Sequence, residues 1–187
     1  MEAFLTSTLL VAIAEIGDKT MLLAIVLATR FRRPIPIILG ILCATLANHA
    51  LAALLGQQTA ALLDGQWFRI AVAASFVVMG LWTLIPDKFD EEDKPAERRG
   101  AFLTTLVAFF LVEIGDKTQI ATVALGARFD AVLAVTAGTT LGMMIANVPA
   151  VYLGQALVQR ISLDVVRRVA AALFIATGAW MLWDVLR

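Results

Sequence analysis

The chain has 187 residues, of which 60% are hydrophobic and only 16% are charged. Its mean hydropathy is +0.86, whereas soluble domains are nearer half apolar and about a quarter charged. The formal net charge is zero, which gives no reason to expect a nucleic-acid partner. This composition favours an all-α polytopic membrane protein whose partner is the lipid bilayer.

Six apolar segments follow one another along the chain, each near the roughly 20 residues that a spanning helix needs. The predicted spans are residues 3–29, 34–56, 67–86, 101–127, 131–158 and 165–186. Charged or turn-rich stretches separate them, and the longest of these is DKFDEEDKPAERRG at residues 87–100. Its composition is typical of a solvated linker.

The first and fourth spans carry the same motif, EIGDKT, at residues 15–20 and 113–118. An ionisable residue at this depth costs at least about 2.5–3.5 kcal/mol, so it usually faces a partner or a wet cavity. In a continuous helix Glu15 and Asp18 share one face, and Lys19 partly neutralises them. Gly17 permits a close approach and, with Thr20, a local distortion that frees backbone carbonyls.

The motif belongs to a longer internal repeat. An offset of 98 residues carries Glu15 onto Glu113, Arg30 onto Arg128 and Gly40 onto Gly138. The chain therefore divides into a first half, residues 1–86, the linker 87–100, and a second half, residues 101–187. Three spans in each half predict that the halves enter the membrane from opposite sides, as two inverted three-helix repeats.

The distribution of basic residues predicts the orientation. When successive loops are assigned to alternate faces, ten of the 13 Lys and Arg outside the motifs fall on one face and three on the other. Because basic residues accumulate in cytoplasmic loops, the linker is expected in the cytoplasm and both termini outside.

An inverted repeat is expected to bring the two motifs together near the membrane midplane. The predicted metal ligands are Glu15, Asp18, Glu113 and Asp116, with Thr20, Thr118 and Gln119 nearby and Lys19 and Lys117 limiting the negative charge. Such an oxygen-rich site suits Mn²⁺, Ca²⁺ or Mg²⁺. Clustered carboxyl groups are expected to hold protons without the metal and release them when it binds, which predicts cation–proton antiport. The alternative is a structural ion-pair cluster between two helices, although buried ion pairs stabilise poorly.

Three further polar residues lie in apolar spans: Asn48 and His49 in the second, and Asn147 in the fifth. The repeat aligns His49 with Asn147. They are candidates for outer ligands or a proton route, and interhelical hydrogen bonds are the simpler interpretation.

The duplicated EIGDKT, with EIGDKTQIATVAL in the second half, resembles the Golgi calcium/manganese transporter (GDT-type) family. Its members carry two Glu-x-Gly-Asp-(Lys/Arg)-(Thr/Ser) motifs in three-plus-three spans, and the resemblance covers nearly the whole chain. It implies that the cation-binding acids are Glu15, Asp18, Glu113 and Asp116. The short linker resembles the bacterial manganese-exporter branch, which implies a bacterial inner (plasma) membrane.

The function expected from these observations is export of Mn²⁺, or of Ca²⁺, in exchange for protons, with no enzymatic activity and no cofactor. One alternative is an exporter of a small cationic organic solute, such as a basic amino acid. The other is a non-transporting membrane scaffold. The sequence leaves a homo-oligomer open.

Overall fold

The chain is almost entirely helical in a computed structural model that describes residues 1–63, 65–86, 100–154, 156 and 162–187. Within these ranges it forms eight helices: α1 Glu2–Glu15, α2 Lys19–Phe31, α3 Pro34–Leu62, α4 Gln66–Thr83, α5 Gly100–Glu113, α6 Lys117–Phe129, α7 Val132–Leu153 and α8 Leu163–Leu186. The all-α prediction is therefore confirmed. Nearly all of the predicted linker, residues 87–99, and the end of the fifth predicted span lie outside the described residues.

Among the described residues, four helices are long and apolar enough to cross a membrane: α3, α4, α7 and α8. They correspond to the second, third, fifth and sixth predicted spans. Large apolar side chains also cover the outside of these helices, for example Leu39, Leu55 and Trp183, which are exposed. An apolar surface around apolar helices is what a lipid environment requires, so the chain is a multi-pass membrane protein.

The first and fourth predicted spans are each interrupted, and the local distortion expected at Gly17 is a full break between two helices. Residues 3–29 form α1 and α2, and residues 101–127 lie in α5 and α6. Both breaks fall inside EIGDKT, where Gly17 has a φ of 84° and Gly115 a φ of 81°. This left-handed backbone favours glycine and ends a right-handed helix.

The two halves pack against each other reciprocally. The first-half helix α1 packs on α7, the second-half helix α5 packs on α3, and α4 packs on α8. A Cβ atom at Gly40 would lie 2.9 Å from the carbonyl oxygen of Phe102, and one at Gly138 would lie 2.5 Å from that of Phe4. These two contacts are related by the 98-residue offset of the sequence repeat, so equivalent residues make equivalent contacts across the halves.

A closer crossing joins α3 to α6. A Cβ atom at Gly56 would lie 2.0 Å from the carbonyl oxygen of Val123, and one at Gly126 would lie 2.3 Å from that of Ala53. Only glycine allows two helix backbones to approach this closely. The crossing fixes α6 against α3, and α6 begins at the second motif.

Candidate cation site

The two EIGDKT motifs adopt the same local structure. Each motif Glu is the last residue of a helix, and each motif Asp precedes the next helix in an extended conformation. The Asp18 N–H donates to the Glu15 carbonyl oxygen at 3.1 Å, and the Asp116 N–H donates to that of Glu113 at the same distance. The expectation that Glu15 and Asp18 share one face of a continuous helix is therefore wrong. They flank a break, with Asp18 at the positive end of α2.

Three of the four predicted acids come together. Carboxylate oxygens of Glu15, Asp18 and Asp116 all lie within 4.8 Å of one another. Glu15 is fully buried, Asp18 is buried and Asp116 is partly buried. Because Asp116 comes from the second half, the acid triad (Glu15, Asp18 and Asp116) is built by both motifs.

Threonine hydroxyl groups from the motifs orient two of these carboxylates. Thr20 donates a short hydrogen bond to one oxygen of Glu15, and Thr118 donates to Asp116 at 3.0 Å. The other oxygen of Glu15, Oε1, is buried without a hydrogen-bond partner among the described residues. An acceptor left open beside two other carboxylates suits a cation or a proton.

The fourth acid, Glu113, lies outside the acid triad in the described structure. It is fully buried and accepts hydrogen bonds from Thr45 and from Asn48, each at 2.9 Å. Asn48 also donates to the carbonyl oxygen of Phe110 at 3.0 Å, which ties α3 to α5. Thr45 was missed by the sequence analysis, although its position one turn before Asn48 on an apolar helix was a usable signal.

The remaining predicted residues support the two breaks. Gln119 accepts a hydrogen bond from the Gly115 N–H at 2.7 Å, and at the equivalent place the Gly17 N–H meets the sulfur of Met21 at 3.4 Å. The buried ammonium group of Lys117 lies 3.3 Å from the carbonyl oxygen of Ile85 and 5.8 Å from the ring centre of Trp82. It therefore connects the second motif to the end of α4.

Lys19 is partly buried and opens α2. His49 and Asn147 are fully buried on α3 and α7, and neither belongs to the acid triad.

A small cavity adjoins the acid triad. It has a volume of about 10 Å³ and is lined in part by Asp18, Thr118 and Arg167, which is room for about one water molecule. The side chain of Leu163 covers Gly17 nearby, with its Cδ2 2.6 Å from the position of a Cβ atom there. A larger cavity of about 420 Å³, beside Arg69 and Arg128, is lined by none of the motif acids.

Two separate stretches, residues 3–91 and 101–187, match the family described as "Divalent cation/proton antiporter GDT1". The chain belongs to this family. The resemblance inferred from the duplicated motif is therefore confirmed.

Several relatives match this chain over most of their own length. A Vibrio cholerae protein described as "Putative manganese exporter" is 50% identical, covering 94% of this chain and 88% of that protein. A GDT1-like protein of Synechocystis is 32% identical, with 93% of each chain covered. GDT1-like protein 5 of Arabidopsis thaliana is 29% identical over 95% of this chain and 94% of that protein. No solved structure matches the chain.

Membership of the GDT1 family makes the chain a cation transporter and not an enzyme. The acid triad fits that class, because its ligand atoms are oxygens and its carboxyl groups are buried or partly buried. Carboxylate oxygens are the preferred ligands of Mn²⁺, Ca²⁺ and Mg²⁺. Among the described residues, Glu15, Asp18 and Asp116 form a group of carboxylates that could hold such an ion.

Proposed function

We propose that the chain exports Mn²⁺ across the bacterial inner membrane in exchange for protons. The observation that carries this proposal is the acid triad, three carboxylates from the two motifs within 4.8 Å of one another in a buried region. The family description supports a divalent cation exchanged for protons. The description of the Vibrio cholerae relative as a manganese exporter supports the choice of Mn²⁺. Ca²⁺ is the second cation that this oxygen site would accept.

Proton exchange follows from competition for the same oxygens. Three carboxylates this close repel one another when ionised, and burial removes the water that would screen them. A bound divalent cation relieves the repulsion, and in its absence protons do so. Each arrival of a cation therefore displaces protons, and the open Oε1 of Glu15 is the acceptor best placed to exchange them.

The proposed topology has six crossings. The half-helices α1 and α2 together make one crossing, as do α5 and α6, and the four long helices make the others. Broken helices that meet at midplane, with helix N-termini and free carbonyls near the ion, recur in secondary transporters built from inverted repeats. The reciprocal glycine contacts at the 98-residue offset support such a repeat. The proposed orientation puts both termini in the periplasm and the linker in the cytoplasm.

Cysteine labelling tests this orientation. In a Cys43→Ala background, Arg33→Cys and Gly65→Cys each place one thiol at an exposed position. The two loops are proposed to lie on opposite faces of the membrane. A membrane-impermeant maleimide added to intact spheroplasts should therefore label Gly65→Cys and leave Arg33→Cys unlabelled. Permeabilising the membrane should then allow the maleimide to label Arg33→Cys. Labelling of both positions from one side in intact spheroplasts would refute the proposed orientation.

Ligand-dependent thermal stability tests the function itself, because a ligand that binds the folded state raises the unfolding temperature. Mn²⁺ should raise the melting temperature of the purified protein, and Ca²⁺ should do so at higher concentration. A rise with lysine and none with either cation would favour export of a basic amino acid. No response to any of them would favour a membrane scaffold. The Glu15→Gln variant is the control, since it should lose the response to Mn²⁺ while retaining the fold.

A further inference from the structure

Two pairs of equivalent residues from the two halves lie against each other. The 98-residue offset relates Asp18 to Asp116, whose carboxylate oxygens lie within 4.8 Å of each other. It also relates Phe76 on α4 to Phe174 on α8, and the ring centres of this phenylalanine pair lie 6.2 Å apart. A residue that lies against its own repeat equivalent is close to the axis that relates the halves. The two aspartates and the phenylalanine pair therefore lie along one axis, which in an inverted repeat runs in the plane of the membrane.

The repeat also relates the two cavities to each other. Arg69 lines the large cavity, and its equivalent at the 98-residue offset, Arg167, lines the small one. Met181 lines the large cavity, and its equivalent, Thr83, lines the small one. Equivalent parts of the two halves thus contribute to both cavities, yet the volumes are about 420 Å³ and about 10 Å³. The region is open at one end of the bundle and closed at the other.

One apolar cluster extends from the first cavity to the second. Val72 and Met181 belong to this cluster and line the large cavity. Ala14 packs against the cluster and lines the small cavity, which adjoins the acid triad. Phe76 and Phe174 are the largest fully buried side chains of the cluster. Apolar constrictions of this kind stop water and ions by dewetting.

The large cavity has a polar lining that suits water and a hydrated cation. Its described charged residues are Arg69, Arg128, Asp130 and Asp184. Arg128 pairs with Asp184 at 3.3 Å, and Gln57 donates a hydrogen bond to Asp130 at 2.6 Å. Positive and negative side chains balance in this described lining, so it does not repel a cation as an all-basic lining would.

We infer that the large cavity is the periplasmic vestibule of the transport pathway, that the small cavity is its closed counterpart on the cytoplasmic side, and that the phenylalanine pair is the barrier between them. The inference rests on the proposed function and orientation. Transporters with inverted repeats alternate by moving one repeat against the other around a fixed site. When the halves exchange conformations, the cavity beside Thr83 opens and the cavity beside Met181 closes. The acid triad then meets each face in turn.

Shortening one ring of the phenylalanine pair tests the barrier. In proteoliposomes without Mn²⁺, Phe174→Ala should dissipate an imposed pH gradient several-fold faster than the wild type, because water can enter where the ring excluded it. Phe109→Ala is the matched control, since Phe109 is also fully buried but belongs to a separate apolar cluster. It should leave the liposomes as tight as the wild type does. An equal leak in both variants, or none in a folded Phe174→Ala variant, would overturn the inference.

Thiol labelling tests the two cavities without altering the phenylalanine pair. In a Cys43→Ala background, Met181→Cys and Thr83→Cys place one thiol at equivalent positions of the large and the small cavity. Detergent-solubilised protein is used, so that a charged methanethiosulfonate reagent reaches both ends. Met181→Cys should react at least about 10-fold faster, because a thiol in a closed cavity reacts only during openings that cost free energy.

The labelling result stands even if Phe174→Ala does not fold. Equal rates, or faster reaction of Thr83→Cys, would overturn the inference while leaving the proposed function intact, provided that the wild type binds Mn²⁺. A wild type that neither binds nor exchanges Mn²⁺ would instead overturn the proposed function, and the role of the cavities in transport with it. The binding measurement on the wild type therefore separates the two failures.

Discussion

Replacing Glu15 with Gln is expected to abolish Mn²⁺–proton exchange and the stabilisation of the protein by Mn²⁺. The change keeps the side-chain size but removes a charge and a proton carrier from the acid triad. Removing even an outer partner of a metal ligand typically costs 10–100-fold in metal affinity, and a direct ligand should cost at least that. Proteoliposomes loaded with a pH-sensitive dye, with Mn²⁺ added outside, would measure the exchange.

Glu113→Gln separates the roles of the two motif glutamates. Because Glu113 is held by Thr45 and Asn48 apart from the acid triad, its variant should keep part of the thermal response to Mn²⁺ and still lose exchange. The double variant should be no worse in exchange than Glu15→Gln, since residues that act as a unit are not additive. Glu2→Gln, at the exposed start of α1, is the control and should behave as wild type. Near-normal exchange in either motif variant would contradict one shared site.

A methyl group at Gly56 is expected to destabilise the protein by about 3 kcal/mol, the upper range for overpacking. The added Cβ atom would lie 2.0 Å from a backbone oxygen of α6, and a backbone cannot rotate away as a side chain can. The two helices must separate instead. Because α6 starts at Lys117 and Thr118, the acid triad should loosen as well. Gly56→Ala should therefore lower both the unfolding midpoint in detergent and the affinity for Mn²⁺.

Gly65→Ala provides the comparison for this prediction. A Cβ atom at Gly65 would meet no atom of the other described residues within 4 Å, so the same chemical change should leave stability near the wild-type value. Gly126→Ala, at the other side of the crossing, should resemble Gly56→Ala. Equal stability of the Gly56 and Gly65 variants would show that α3 and α6 do not cross as closely as described.

The amino-acid sequence alone sufficed for the class, the repeat and the family. Apolar composition and span length are local properties, and they correctly located the four long helices. The duplicated EIGDKT identified the family, which the match over residues 3–91 and 101–187 confirms. It also pointed to the acids, because charge in an apolar segment is conspicuous whatever the fold.

The tertiary structure decided how those acids are used. Hydropathy cannot distinguish a continuous span from two half-helices, since a break of three residues hardly changes the mean hydropathy of the segment. The position of Gly17 and Gly115 was a signal, but only the observed φ values show that both helices end there. A continuous helix would have kept Glu15 and Asp18 on one face. The break instead puts one at a helix end and the other at a helix start.

Packing between the halves also decided which three of the four motif acids lie together and which one lies apart. Repeat symmetry in the sequence predicts equivalent roles for Glu15 and Glu113, yet their surroundings differ. Glu113 meets Thr45 and Asn48 of α3, and the equivalent α7 positions carry Met143 and Ala146, which have no comparable hydrogen-bond donors. Glu15 therefore remains available to Asp18 and Asp116, while Glu113 is held aside. The sequence by itself determined which acids lie within apolar segments, and the contacts between helices distant in sequence determined which of them lie close enough to share an ion.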